Sequence, residues 1–313
     1  MGENILITGG AGFLGSHLCR ELLKLDFNVI CMDNLFTGEI RNIKNLMSNP
    51  KFTFLEHDVT IQKNIECSRI FHLACPASPV HYQKDPVKTV STNVVGTLNM
   101  LELAKLNNIP ILFTSTSEVY GDPEISPQKE NYWGRVNPIG IRSCYDEGKR
   151  CAETLCFDFH RQYDLEIKVI RIFNTYGPGM NINDGRVISN FIVQALKQLP
   201  LTIYGKGTQS RSLCYVSDLI NGLIKFSNID NTFTGPVNLG QNYEITMMEL
   251  ANKIINLTNS QSKIEFHNLP ENDPKQRNPD LDLAKKIINW DPIIDLDQGL
   301  LKTIEYFRGL ILN

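Results

Sequence analysis

A tyrosine and a lysine four residues apart, Tyr145 and Lys149, are the side chains of this sequence best suited to acid–base chemistry. On a helix, residues with this spacing lie on the same face. A phenol with its usual pKa of about 10 is a poor base at neutral pH, but a neighbouring ammonium group stabilises the phenolate and lowers that pKa. The pair is therefore predicted to take the proton of a substrate hydroxyl group.

A run of hydroxyl side chains strengthens this interpretation. Thr114-Ser115-Thr116-Ser117-Glu118 ends a candidate strand, and the helix that carries the Tyr–Lys pair follows it. A Tyr-x-x-x-Lys pair also arises by chance on solvated helices. The position of this pair, one helix after the hydroxyl-rich strand end, is what favours a catalytic role. We expect Thr116 to orient a substrate alcohol beside Tyr145.

Glycines at positions 9, 12 and 15 join the first candidate strand to the first candidate helix. This spacing allows a tight turn, close approach of backbone amides to a pyrophosphate, and close packing of helix on sheet. The same glycines also suit a simple strand-to-helix turn. Asp33, at the end of the second candidate strand, favours the dinucleotide, because a carboxylate there accepts hydrogen bonds from ribose hydroxyls and repels a 2′-phosphate. We therefore predict NAD as the cofactor, and its oxidised nicotinamide would lower the pKa of Tyr145 further.

These residues need a scaffold that brings strand ends and helix starts together. Short β-rich runs alternate with longer helical ones in the first half of the chain, which is typical of parallel strands joined by crossover helices. Candidate strands are 4–8, 28–33, 52–56, 69–74, 111–115 and 166–172, and candidate helices are 14–25, 86–105 and 143–162. The predicted fold class is α/β, with a Rossmann-type doubly wound parallel sheet.

The pattern changes after residue 172, where glycines and prolines divide the chain into short pieces. Helical patterns return at 247–258, 281–288 and 296–307, and a polar stretch lies at 270–279. We expect residues 1–175 to form the NAD-binding domain, with segments at about 210–240 returning to it. Residues 176–313 are expected to form mainly a smaller C-terminal α/β lobe that binds the substrate.

Composition excludes several functional classes. With 42% hydrophobic and 21% charged residues the chain is neither disordered nor fibrous, and a net charge of −3 leaves no basic face for nucleic acid. No apolar run is long enough to span a membrane and no basic leader precedes the first strand, so we predict a cytosolic protein.

The eight cysteines are scattered without a Cys-x-x-Cys pair, which predicts mostly buried free thiols and no metal site.

Longer stretches of sequence resemble one enzyme family. They are GGAGFLGSHL, DNLFTG, HLACPASPVHY, TSTSEVYGDP, YWGRVNPIGIRSCYDEGKR, RIFNTYGP, NDGRVISNFI and YVSDL. The glycine motif and Tyr-x-x-x-Lys are typical of extended short-chain dehydrogenases in general. The Pro76-Ala77-Ser78-Pro79 turn with Tyr82, the Ser117-Glu118 pair and the block 132–150 are similar to UDP-glucuronate decarboxylases, the UDP-xylose synthases.

The resemblance implies a set of binding residues. The cofactor NAD would be surrounded by Gly9, Gly12, Phe13, Leu14, Asp33, Asn34, Thr37, Gly38, Asp58, Val59, Leu73, Thr114, Tyr145 and Lys149. The sugar and its phosphates would be bound by Tyr82, Glu118, Asn174 and Arg211, and the UDP part by Arg186, Val187, Tyr204 and Arg277. It also implies a homodimer, because the apolar helical segments 94–103 and 152–159 resemble the dimer-forming helices of the family.

Two arginines also have a physical argument. A UDP-sugar acid carries a diphosphate and a carboxylate, and planar guanidinium groups suit both. Arg211 is our candidate for the sugar carboxylate and Arg186 for the UDP part. Isolated arginines are more often solvated surface residues. Tyr204 could equally be a packing residue, and Arg277 could equally lie in a solvated loop.

The implied reaction is the conversion of UDP-glucuronate to UDP-xylose and CO2 through a 4-keto sugar, with Glu118 organising a water or donating the proton at C5. Several alternatives share the superfamily motifs: a 4,6-dehydratase, a 4-epimerase, and an oxidative decarboxylase that releases a 4-keto pentose. Ser117 stands where the dehydratases carry an acid, which disfavours the first. A catalytically silent NAD-binding regulator is disfavoured by Thr116, Tyr145 and Lys149 together, since cofactor binding alone needs no activated phenol.

Overall fold

The structure is a computed structural model of the chain that describes residues 3–230, 232–269 and 276–311. The strands are β1 Asn4–Thr8, β2 Asn28–Asp33, β3 Phe52–Glu56, β4 Arg69–His72, β5 Ile111–Thr116, β6 Ile167–Ile172, β7 Thr175–Tyr176, β8 Leu201–Tyr204, β9 Ser210–Ser212, β10 Cys214–Tyr215, β11 Val237–Leu239, β12 Glu244–Thr246 and β13 Ile264–His267. The α-helices are α1 Phe13–Lys24, α2 Ile40–Ile43, α3 Pro79–Tyr82, α4 Pro86–Ser91, α5 Thr97–Asn107, α6 Ser143–Tyr163, α7 Val187–Leu196, α8 Val216–Ser227, α9 Met247–Thr258, α10 Asp282–Ile288 and α11 Leu296–Ile311.

A parallel sheet of seven strands forms the centre of the described chain, in the order β11-β6-β5-β4-β1-β2-β3. Its inner strands are buried along almost their whole length because helices cover both faces of the sheet. The predicted α/β parallel fold is confirmed. The strand order reverses between β1 and β4, and ligands of such sheets bind at the carboxyl ends of the strands at this point.

The six strands predicted from the sequence are confirmed to within two residues at each end. The predicted helix 86–105 is interrupted: α4 leads into a π-helical turn, Thr92–Gly96, and then into α5. Asp85 caps the first piece by accepting the Lys88 N–H at 3.0 Å. The β-branched residues and the glycine of the π turn are poor helix formers, and at Gly96 the backbone packs so closely on Val59 that a Cβ would lie 2.7 Å from it. Hydrophobic periodicity alone does not reveal such a break.

Beyond β6 the chain forms three small two-stranded sheets, β7 with β10, β8 with β13, and β9 with β12. Strand β11 pairs with β6 in the central sheet. Trp290 is buried and donates its indole N–H to the Asp218 carbonyl at 2.9 Å, which ties the segment after α10 to α8. The polar stretch predicted at 270–279 lies partly outside the described residues.

All eight cysteines are free thiols, as predicted. Five are buried, Cys75 and Cys144 are half-buried, and Cys151 is exposed because it lies on the outer face of α6. Among the residues that the structure describes, no helix combines the length and apolarity that crossing a membrane requires.

Candidate active site

A cavity of about 650 Å³ lies at the carboxyl ends of the parallel strands, where the strand order reverses. Its wall begins at the β1–α1 turn and the end of β2, continues along the ends of β4 and β5, and reaches the first turn of α6. Residues 172–191 and the strands β8 and β9 complete it. The volume is in the range of small-molecule and cofactor sites.

The β1–α1 turn fits a dinucleotide. Gly9 has φ +70°, and a Cβ there would lie 2.9 Å from the Ala74 backbone. A Cβ at Gly15 would lie 2.1 Å from the Gly9 carbonyl oxygen, so only glycine allows α1 to begin this close to β1. Asp33 ends β2 and accepts backbone N–H groups from Ala11 at 3.0 Å and Leu35 at 2.8 Å. The turn is thus open to a pyrophosphate, with a carboxylate at the place expected for the ribose.

Most of the residues predicted from the sequence share this cavity. Those in its wall are Gly9, Gly12, Phe13, Leu14, Asp33, Asn34, Thr37, Val59, Leu73, Tyr82, Thr114, Thr116, Glu118, Tyr145, Lys149, Asn174, Arg186, Val187, Tyr204, Arg211 and Arg277. Gly38 and Asp58 lie behind the wall. A Cβ at Gly38 would lie 2.7 Å from the Asp33 carboxylate, and Asp58 accepts hydrogen bonds from Asn34 at 2.8 Å and Lys88 at 2.9 Å.

Tyr145 lies in the first turn of α6 and is buried against Tyr82. The two rings stack with centroids 5.1 Å apart and planes 8° apart, which fixes the plane of the Tyr145 phenol. Thr116, at the end of β5, hydrogen-bonds the Tyr145 side chain. The predicted neighbourhood of Tyr145 and Thr116 is thus present in the structure.

Lys149 lies one turn further along α6, deep in the protein. Its ammonium group donates to the Thr114 carbonyl at 2.8 Å and stands 4.7 Å from the centre of the Phe113 ring. Burial raises the pKa of Tyr145 well above its usual value, although the Thr116 hydrogen bond acts in the other direction. The lowering of this pKa that we predicted from the Tyr–Lys spacing is therefore not achieved by the protein alone.

Glu118 is the acidic group next to Tyr145, and two arginines bind the same oxygen of its carboxylate. Arg142 Nη2 lies 2.7 Å from Oε2, and Arg277 Nη2 lies 3.1 Å from it. Burial acts to raise the pKa of Glu118, but the charges of Arg277 and Arg142 outweigh it and lower the pKa to about 2. Glu118 is therefore ionised at neutral pH, which favours the first of its two expected roles, organising a water, over donating its own proton.

Arg277 lies beside Glu118, in the same cavity as the other predicted UDP residues. The resemblance assigned it to the UDP part, whereas the structure buries it with 1% of its surface exposed and brings it to Glu118 beside Tyr145. Its segment is fastened by Gln128, which accepts the Asn278 N–H at 2.9 Å, and by Ser212, which donates to the Arg277 carbonyl at 3.0 Å. Arg277 thus belongs to the reacting end of the cavity.

Arg142 was missed by the sequence analysis. Arg142 is the residue that precedes α6, three positions before Tyr145. Residues three positions apart lie on the same side of a helical turn, so this spacing could have indicated that Arg142 is near Tyr145. Arg142 lies within the block 132–150 that is similar to the family, but the sequence assigns it no role by itself.

The remaining predicted substrate residues come from the later elements. Arg186 precedes α7, pairs with Asp184 and lies with its guanidinium 5.9 Å from the centre of the Phe13 ring. Arg211 lies on β9 and Tyr204 ends β8. The Asn174 carbonyl accepts the Cys214 N–H at 2.8 Å, so its backbone joins β7 to β10.

Comparison with known proteins agrees with this geometry. Residues 5–240 match the model of the NAD dependent epimerase/dehydratase family. UDP-glucuronic acid decarboxylase 3 of Arabidopsis thaliana is 55% identical over 97% of this chain and 89% of its own length. UDP-glucuronic acid decarboxylase 1 of Danio rerio is 51% identical over 97% of this chain and 72% of its own length. Among solved structures, UDP-glucuronic acid 4-epimerase from Bacillus cereus, in complex with UDP-glucuronic acid and NAD, superposes with a TM-score of 0.87 at 28% identity, covering 98% of this chain and 99% of that one.

Proposed function

Since the chain belongs to the NAD-dependent epimerase/dehydratase family and is similar over nearly its whole length to UDP-glucuronic acid decarboxylases, we infer that it converts UDP-glucuronate to UDP-xylose and CO2. The cofactor is NAD, held by the β1–α1 turn and Asp33. Bound there, NAD would supply the hydride chemistry at C4 of the sugar, with no net change in its oxidation state.

The side chains of the cavity supply the proton transfers. Tyr145, with Thr116 at its hydroxyl, takes the C4 hydroxyl proton as that carbon is oxidised and gives it back when the ketone is reduced. Because burial raises the pKa of the phenol, we propose that the positive charge of the oxidised nicotinamide lowers it when the cofactor binds.

Decarboxylation needs no further base. A ketone at C4 places the C6 carboxylate β to a carbonyl, so the C5–C6 bond breaks, CO2 leaves, and the electron pair delocalises into an enolate. A C5–H bond then forms. We propose that Glu118, ionised and fixed by Arg277, holds a water that delivers this proton and takes another from solvent, since the net reaction consumes one proton. Arg277 is our candidate for the C6 carboxylate in place of Arg211, which we assign to the phosphates.

One observation carries the choice of substrate: two guanidinium groups converge on a single carboxylate next to Tyr145. Two guanidinium groups face one carboxylate, so this end of the cavity keeps a net positive charge, which suits a sugar acid better than a neutral hexose. This favours UDP-glucuronate over the neutral substrates of dehydratases.

The test is to incubate the purified protein with UDP-glucuronate labelled with carbon-13 and to follow the products by NMR and NADH absorbance. We expect UDP-xylose and CO2 with no net NADH, and no reaction of UDP-glucose. UDP-galacturonate as the product would instead identify a 4-epimerase. A released 4-keto pentose with stoichiometric NADH would identify an oxidative decarboxylase.

Asp33 is expected to exclude NADP. In Asp33→Asn the side chain loses its charge and keeps an oxygen for one of the two backbone N–H groups. The ratio of NADP to NAD affinity should rise about fivefold or more, since a close like-charge contact costs on the order of 1 kcal/mol even in water. Dissociation constants for both cofactors measure this. Asp26→Asn, at a carboxylate with an 87% exposed side chain, is the matched control. An unchanged ratio in Asp33→Asn would contradict the role of Asp33.

We also propose that the chain forms a homodimer through α4, α5 and α6. The segments predicted for this, 94–103 and 152–159, bury Leu101, Ala152 and Phe159 inside the subunit. Exposed apolar side chains here include Val87 and Val90 on α4, Val95 in the π-helical turn, and Leu98 and Leu106 on α5, and they support a contact on this side. The division into an NAD-binding domain at 1–175 and a substrate lobe at 176–313, and the cytosolic location, stay predictions.

A further inference from the structure

Arg142 links Glu118 to the helix that carries Tyr145. Its guanidinium binds Glu118, and its backbone begins the helix that carries Tyr145. We propose that Arg142 is a positioning residue of the decarboxylation reaction, which sets the place of Glu118 relative to Tyr145 and holds its charge. This inference rests on the function proposed above.

The contacts of Arg142 are short and shielded. Nη2 lies 2.7 Å from Glu118 Oε2, and the two side chains are 13% and 15% exposed, so solvent screens this pair little. The carbonyl of the same residue accepts the N–H groups of Tyr145 at 3.0 Å and Asp146 at 3.1 Å. A displacement of the first turn of α6 would therefore move Glu118 and Tyr145 together.

Arg277 does not duplicate this function. It reaches the same carboxylate oxygen at 3.1 Å, but from a segment held by Gln128 and Ser212. Arg277 thus ties Glu118 to the C-terminal part of the chain, whereas Arg142 ties it to the helix of the catalytic tyrosine. Removing Arg142 therefore breaks the link between Glu118 and α6 and leaves the link between Glu118 and Arg277 intact.

The charges around Glu118 make the role of Arg142 measurable. The titratable and charged groups that face Glu118 are Arg142, Arg277, Asp146, Tyr145 and Tyr82. Burial and the charge of Glu118 raise the pKa of Asp146 to about 8, so Asp146 is protonated at neutral pH and adds no negative charge. With Arg142 removed, one cation instead of two faces the Glu118 carboxylate, and its pKa must rise.

The experiment compares Arg142→Met with Arg135→Met. Arg135 makes a similar 2.8 Å bond to Glu124, but both side chains are about two-thirds exposed, which makes it a matched control. The pKa of Glu118 is read from carbon-13 NMR of labelled glutamate side chains, with Glu118→Gln to assign the signal. In Arg142→Met we expect the Glu118 midpoint to rise by roughly 1–3 units, since one close opposite charge shifts a carboxyl pKa by that amount. Arg135→Met should leave it unchanged.

Turnover is measured on the same proteins together with their NAD content. We expect kcat of Arg142→Met to fall about 10- to 100-fold with NAD retained, at most the lower limit of the 10²- to 10⁴-fold that an acid–base group itself contributes. Arg142→Lys keeps the positive charge but loses the planar, forked guanidinium group. The titration midpoint of Glu118 in this variant should therefore stay near the wild-type value, while kcat still falls several-fold.

An unmoved Glu118 midpoint in Arg142→Met overturns the proposal, and so does a kcat within twofold of wild type in a folded variant. If Arg142→Met does not fold, Arg142→Lys decides, because a wild-type kcat in that variant also overturns it. The NMR titration needs no turnover, so its outcome is separate from whether UDP-glucuronate is the substrate.

Discussion

Tyr145→Phe is expected to lower kcat for UDP-glucuronate about 10²- to 10⁴-fold, the range for loss of a positioned acid–base group. Phenylalanine keeps the ring that stacks on Tyr82 with centroids 5.1 Å apart, so the shape of the site is preserved. The proton of the C4 hydroxyl then has no acceptor at Thr116. The NAD content should be unchanged, because the β1–α1 turn is not altered.

The measurement is steady-state turnover together with the cofactor released on denaturation. Tyr163→Phe serves as the control, since Tyr163 ends the same helix and is 45% exposed. A Tyr145→Phe variant with near-normal kcat would refute the assignment of Tyr145 as the base. Loss of NAD together with activity would indicate a binding role instead.

Glu118→Gln is expected to slow the steps after oxidation about 10²- to 10³-fold, which falls within the range of general acid–base effects. The amide has the shape of the carboxylate but no charge, so it does not neutralise Arg142 and Arg277 or hold a proton-delivering water in the same way. Because oxidation at C4 depends on Tyr145, the 4-keto intermediate or NADH should accumulate. Single-turnover absorbance and NMR of quenched samples measure both species.

Glu124→Gln provides the matched control for this substitution. Glu124 also binds an arginine, Arg135, at 2.8 Å, but its side chain is 67% exposed and therefore contributes little through its charge. If Glu118→Gln slowed the oxidation itself, with no intermediate detected, Glu118 would act before decarboxylation and our assignment would be wrong.

The ionisation of Glu118 also bears on pH dependence. Its pKa is lowered to about 2, so the carboxylate stays charged throughout the range in which the protein is assayed. A model in which Glu118 gives its own proton to C5 would require the opposite shift. We therefore propose a bound water as the immediate proton source, with the carboxylate orienting it.

The sequence by itself determined the features that depend on neighbouring residues. The glycine spacing of the β1–α1 turn, Asp33 at the end of β2, and Tyr145 with Lys149 on one helix face are local patterns, because a turn or a helix fixes their relative positions. The long apolar strands β1 to β6 were predictable for the same reason. The family resemblance rested on these and similar short segments.

Only the tertiary structure decided how Glu118 is used. Arg277 lies 159 residues away along the chain, and no local pattern shows that Gln128 and Ser212 bring it to the end of β5. The raised pKa of Tyr145 likewise follows from burial by Tyr82 and other segments that are distant in sequence. Spacing predicts which groups share a helix face, but the charge that a group carries depends on how many partners and how much solvent the whole fold places around it.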